Sequence, residues 1–139
     1  AISQNLNWQT YGNSRFEYAI DFPSKLLNPQ KEAENGDGRL FYSKNKDVKM
    51  TVFASYNTLE EKLENHANDA KKHCNNKQSY FTQKADMFAI SCKISGKIFY
   101  QKTYFKDDTF YNFYIEYPSN QQKIWDKIVA KISASFKTL

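Results

Sequence analysis

The feature that most constrains the fold lies late in the chain. Lys97–Lys106 and Thr109–Tyr117 are two long, aromatic-rich segments separated only by Asp107-Asp108. A two-residue connection of this kind joins neighbouring antiparallel strands. Phe99, Tyr100, Tyr104, Phe105, Phe110, Tyr111, Phe113, Tyr114 and Tyr117 are spread over both faces of the resulting hairpin. One face must cover a core beneath helices. The other is then left to expose Tyr, Phe and Lys together.

The remaining segments supply the rest of such a sheet. In Arg15–Phe22, Phe16, Tyr18, Ile20 and Phe22 alternate with Arg15, Glu17 and Asp21, the period of a half-buried strand that Pro23 ends. A shorter strand over Trp8–Tyr11 precedes it, with Gly12-Asn13 as the turn. Arg39–Ser43 and Val48–Tyr56 read as a second hairpin, with Val48, Met50, Val52, Ala54 and Tyr56 sharing a face. Tyr80–Lys84 and Phe88–Ile94 are further strands, the latter turning at Ser95-Gly96.

Two helices complete the pattern. Thr58-Leu59-Glu60-Glu61 has the spacing of a capping box, and Leu59, Leu63, Ala67, Ala70 and Cys74 recur at helical intervals up to about Asn75. Ser119–Gln122 is a second capping box, ahead of the stripe Ile124, Ile128, Ile132 and Phe136. The expected class is α+β: one antiparallel sheet of about six to eight strands with two amphipathic helices on one face. The 139 residues are the size of a single domain, 1–139.

Aromatic residues make up 17% of the chain, which argues against disorder, and Gly and Pro are scarce at four and three. The formal charge is +5, carried by Lys; Arg occurs only at Arg15 and Arg39. Because Arg is the residue suited to forked phosphate and base contacts, nucleic acid is a disfavoured partner. No apolar stretch is long enough to cross a bilayer. The chain starts at Ala1 with no initiator Met, which reads as removal of a signal peptide, although a trimmed chain starts the same way.

Five stretches carry a family resemblance: R-F-E-Y-A-I-D-F-P, E-N-G-D-G-R-L-F, G-K-I-F-Y-Q-K-T, F-Y-I-E-Y-P and K-I-W-D-K-I-V-A-K-I-S-A-S-F. Together they resemble a family of small exported proteins of Gram-negative bacteria, across roughly Tyr11 to Phe136. The general shape also resembles the PsbP-type α/β sandwich, on architecture alone. The resemblance implies a periplasmic or secreted protein. It brings no catalytic residues, so none is assigned.

Cys74 closes the stripe of the first helix, and Cys92 shares a strand face with Phe88 and Ile90. Both point to the seam between helix and sheet. In an oxidising envelope a disulfide is favoured over two buried thiols. His66, His73 and Cys74 lack the further ligand that a structural zinc site needs. No nucleophile motif or phosphate loop is present, and no cofactor is expected.

Two candidate sites remain. The loop carrying Glu32, Glu34, Asn35, Asp37 and Arg39 clusters oxygen donors beside two glycines, a set that suits either a hard cation or a self-bonded turn. Tyr100, Tyr104, Tyr111 and Tyr114 form a candidate binding surface on the aromatic hairpin. The expected function is a monomeric, non-enzymatic periplasmic binding protein whose partner is another protein, as an inhibitor or immunity protein would be. One alternative is a ligand-binding or hydrolytic protein with a cleft at Glu32–Gly38. The other is a cationic binder of nucleic acid or another polyanion.

Overall fold

The computed structural model describes residues 5–139; Ala1, read above as a processed terminus, lies outside the described residues. The strands are β1 (Trp8–Asn13), β2 (Tyr18–Pro23), β3 (Asn28–Pro29), β4 (Gly38–Tyr42), β5 (Lys49–Tyr56), β6 (Tyr80–Lys84), β7 (Met87–Ile94), β8 (Lys97–Lys106), β9 (Thr109–Pro118) and β10 (Lys137–Thr138). The helices are α1 (Leu63–His73) and α2 (Gln122–Ser135). All strand pairs are antiparallel, so the class is α+β.

The single sheet expected from sequence is two sheets. A seven-stranded sheet runs β3-β4-β5-β9-β8-β7-β6, and a three-stranded sheet runs β1-β2-β10. The helices also lie on opposite faces of the larger sheet, not on one. The reason is the pleat, which sends successive side chains to opposite sides. Leu63, Ala67 and Ala70 of α1 pack on Phe88, Ile90, Cys92 and Phe110. On the other side, Trp125, Ile128, Val129 and Ile132 of α2 join Tyr18, Ile20 and Phe22 of the small sheet over Met50, Val52, Phe113 and Ile115.

Turn chemistry fixes the register. Ser95-Gly96 and Asp107-Asp108 all have positive φ, between 50° and 78°. Two such residues match the twist of the flanking strands, and Asp tolerates the conformation better than most side chains. The first turn came out differently from its sequence reading. Gly12 and Asn13 stay in β1, paired with Ala19 and Tyr18. The chain reverses at Ser14–Glu17 because the Asn13 side-chain oxygen accepts the Phe16 N–H (2.8 Å) and its carbonyl accepts the Glu17 N–H (2.9 Å).

Both helices start later than their boxes suggested, while Leu63, Ala67, Ala70 and Cys74 of the first stripe and Ile128, Ile132 and Phe136 of the second are buried as expected. Asn57 accepts the Glu61 N–H and donates to the Glu61 carbonyl, each at 2.8 Å, holding Thr58–Glu60 in a loop. The Lys62 N–H is capped by Asn65, at 2.7 Å. Leu59 is therefore outside the helix and 78% exposed. Ser119–Gln121 forms a 3-10 turn in place of a box, and α2 rotates Trp125 inward, leaving Ile124 61% exposed. Tyr56, at the end of β5, is 56% exposed and lies against Phe16.

Cys74, capping α1, is disulfide-bonded to Cys92 of β7, with their Cα atoms 5.8 Å apart. The bond staples α1 to its face of the sheet. No helix among the described residues is long and apolar enough to cross a membrane. The disulfide closes a span of 18 residues. Replacing both cysteines by serine is expected to lower the unfolding free energy by about 3 kcal/mol, read by urea titration. An unchanged midpoint would mean that packing alone holds α1 in place.

Candidate functional site

The oxygen-rich loop is built to serve itself. Asn13 donates to the Gly36 carbonyl (2.8 Å), and Tyr18 donates to the Asp37 carbonyl (2.8 Å), which also accepts the Ala54 N–H (3.1 Å). The Asn35 and Asp37 side chains bond within the turn, at 3.2 Å, and Glu32 accepts from the Tyr11 hydroxyl at 2.6 Å. Arg15 donates to the Asn35 carbonyl, and Arg39 donates to the Gln30 carbonyl. Glu34 alone of the five candidates stands free in solvent. Gly38 is needed where β4 begins: a Cβ there would lie 2.1 Å from the Val52 carbonyl oxygen. The donor set is a self-bonded turn strapped onto the hairpin of β1 and β2. Among the described residues, no three His, Cys, Asp or Glu side chains are placed to share a metal ion.

The four tyrosines proposed as one surface are divided by the sheet. Tyr100 shares a 2.8 Å hydrogen bond with Ser133 of α2, and Tyr104 donates to the Phe136 carbonyl at 3.1 Å. Tyr111 is buried against Tyr18. These three belong to the face covered by α2. Tyr114 lies on the opposite face, because it pairs with Gln101 while Tyr104 pairs with Tyr111. Burial drives the hydroxyls of Tyr100 and Tyr114 to titrate above the ordinary tyrosine range. Burial, reinforced by hydrogen-bonded or nearby acidic groups, does the same for Tyr11, Tyr18 and Tyr117.

Tyr114 lines a groove between α1 and the uncovered strands β5 and β9. The cavity has a volume of about 430 Å³ and is walled by Lys49, Thr51, His66, Asp69, His73, Phe99, Gln101, Tyr114 and Glu116. Its floor holds the half-buried rings of Phe99 and Tyr114, 6.1 Å apart; Phe53 continues the row beside the cavity, 5.6 Å from Tyr114, and the exposed His73 of α1 lies 4.5 Å from Phe99. Beneath them is a buried polar chain, in which Gln101 donates to Thr103 and Thr103 to Asn112, each at 2.9 Å. His66 stacks on Phe110 at 3.7 Å, with its Nε2 3.3 Å from Glu61. Aromatic floor and charged rim together suit a docking surface that receives an apolar group.

Sequence reading singled out Tyr114 but missed Lys49, Thr51, Asp69, Gln101 and Glu116. Two signals pointed to them. His66, Asp69, Ala70 and His73 are spaced three, four and seven apart, on one helix face. The hairpin register sets Gln101 beside Tyr114, and Lys49 of β5 faces Glu116. None of the three cavities described is lined by the Glu32–Gly38 loop, where a cleft was one expectation.

No protein-family model and no curated protein matches this sequence. The structure is similar to the solution structure of cyanobacterial PsbP (CyanoP) from Synechocystis sp. PCC 6803, with a TM-score of 0.68 at 9% identity over 95% of this chain and 92% of that one. It is also similar to a crystal structure from Bacteroides thetaiotaomicron, with a TM-score of 0.57 at 10% identity; 94% of this chain matches 48% of that longer one. The fold is therefore PsbP-like, and at these identities the likeness is one of fold.

Two outcomes follow from these contacts. Asn13→Ala removes the bonds to the Gly36 carbonyl, the Tyr11 hydroxyl and the Phe16 N–H together and is expected to cost about 1–3 kcal/mol, with faster exchange at the Phe16 amide. A native exchange rate at that amide and an unchanged urea midpoint would show the strap to be dispensable. The raised tyrosines give a pH profile: the folded state keeps protons that the unfolded chain begins to release near pH 10. That contribution is intact below about pH 10 and is lost as the pH rises further, so the urea midpoint should fall there. A midpoint that stays level through the alkaline range contradicts it.

Proposed function

We propose that this protein is a non-enzymatic exported binding protein that holds a partner protein in the groove beside α1. The observation that carries the reading is the open row Phe53–Tyr114–Phe99 on the sheet beside α1, with His73 of the helix at its end. Rings at the centre of a patch with charges at its edge are the composition of protein interfaces, and such rings dominate binding energy. The Cys74–Cys92 bond supports export, since such bonds persist in oxidising compartments. The PsbP-like fold by itself assigns no activity. An inhibitor or immunity role is the stoichiometric form this reading takes. A second reading, a small ligand, is favoured by the cavity volume of about 430 Å³, which falls within the usual range for such sites.

The test is a pull-down from an envelope extract at low and high salt, read by mass spectrometry, with the wild type beside Tyr114→Ala. One salt-resistant partner in near-equal amount, weakened about tenfold or more by the substitution, is the expected outcome. Retention of that partner by Tyr114→Ala would move the interface elsewhere. A small molecule that co-purifies with the wild type and is lost in Tyr114→Ala would decide for the second reading.

A further inference from the structure

The other half-covered face carries a different kind of surface. β6 is the last strand of the large sheet, and among the described residues nothing pairs with its outer side. The opposite end is closed by β3, which is two residues long and contains Pro29. Short strands and proline are common ways of blunting an edge. β6 has neither: it is five residues long, free of Gly and Pro, and paired one-to-one with β7 without a bulge.

The ladder shows which groups stand open. A two-residue turn, Ala85-Asp86, makes Lys84 and Met87 a hydrogen-bonded pair, and bonded pairs alternate along an antiparallel ladder. Tyr80, Thr82 and Lys84 therefore bond to β7. The N–H and C=O of Phe81 and Gln83 point outward from the edge. The Phe105 N–H bonds the Asp86 carbonyl on the far side of β7, in keeping with the same alternation.

Beside this edge lies a cleft of about 630 Å³ between α2 and strands β6–β8. Its helix wall runs from Gln122 and Asp126 past Val129 to the small residues Ala130, Ser133 and Ala134. Tyr80, half exposed at 50%, Thr82 and Lys84 line it from β6. Lys84 and Lys102 put two positive charges into the lining, and Lys102 is held in place by the Ser133 carbonyl at 3.0 Å. The one carboxylate there, Asp126, already accepts from Tyr117 (2.6 Å) and Gln122 (3.1 Å).

We propose that β6 is a strand-addition site, at which an extended acidic segment of a partner protein pairs with the open edge and lays alternate side chains into the cleft. Main-chain bonds to Phe81 and Gln83 give the affinity, and the cleft selects the side chains. The acidic character follows from Lys84 and Lys102. A second copy of this chain fits less well, because edge-to-edge pairing would bring two cationic clefts together. The surface lies across the sheet from the Tyr114 groove, so neither reading depends on the other.

The test uses a ten-residue peptide of alternating Glu and Val, and a Lys and Val counterpart, titrated against the full chain. Binding of the acidic peptide alone is expected, weakening as salt rises. Gln83→Pro removes an outward N–H while leaving the bonds to β7 intact, and should weaken binding about tenfold or more. Gln83→Ala keeps the N–H and should bind as the wild type does. Amide exchange on the wild type needs no variant: Phe81 and Gln83 should exchange fast when free and slow when peptide is bound. No binding, equal binding of the two peptides, or undiminished binding by folded Gln83→Pro overturns the proposal. So does a dimer of the free chain that Gln83→Pro dissociates, which would give the edge to a second copy.

Discussion

Everything in this structure depends on the register of the hairpin of β8 and β9. Its two-residue turn makes Lys106 face Thr109, and counting back sets Tyr104 against Tyr111, Gln101 against Tyr114 and Tyr100 against Ile115. A slip of one residue would send every side chain to the other face. β9 passes the register to β5 and β8 passes it to β7, so the central four strands share one assignment of faces. Phe110 and Cys92 are thereby committed to α1, and Phe113 and Ile115 to α2.

Two helices on opposite faces of a seven-stranded sheet cannot cover all of it. α1 is held over β7 by the disulfide and covers that end. α2 sits over the centre beside the small sheet, which β10 joins by pairing Lys137 with Ala19 and Thr138 with Tyr18. The uncovered areas are thus diagonal to each other: β5 and β9 on one face, β6 to β8 on the other. Each became a groove with a helix for one wall. The two differ in chemistry because the residues beside them do. Charges of both signs surround the rings of the first, while the second sets two lysines and one already bonded carboxylate among tyrosines and small helix side chains.

Most strand positions, the hairpin turns at Ser95-Gly96 and Asp107-Asp108 and the Cys74–Cys92 pairing were legible in the sequence because each rests on local alternation or on one pair of residues. The helix starts were not. At the head of α2, Ile124 and Trp125 both offer an apolar side chain, and only the docked surface, where Trp125 meets Tyr117, decides between them. The start of α1 was misread because Asn57, before the apparent box, bonds Glu61 at both its groups. β10 gave no signal, since its two residues are a strand only because β2 lies alongside. The division of the tyrosines was legible in principle: the turn that defines the hairpin also places Tyr114 opposite Gln101. Without the partners of each face, however, four tyrosines on two adjacent strands look like one patch.

The loop at Glu32–Gly38 shows why a list of donor atoms is weak evidence for a ligand. The three carbonyls at the tip of the loop are each engaged by a donor from elsewhere in the fold: Asn13 on Gly36, Tyr18 and Ala54 on Asp37, Arg15 on Asn35. Both arginines of the chain serve this region, and both also lie over rings, Arg15 over Phe16 at 4.8 Å and Arg39 over Tyr11 at 5.7 Å. The planar cations suited to forked recognition are thus built into the fold. What remains on the surface is lysine, a point charge that attracts without fixing orientation. On the cationic cleft, orientation must therefore come from something more directional, and the unpaired backbone of β6 is the directional element beside it.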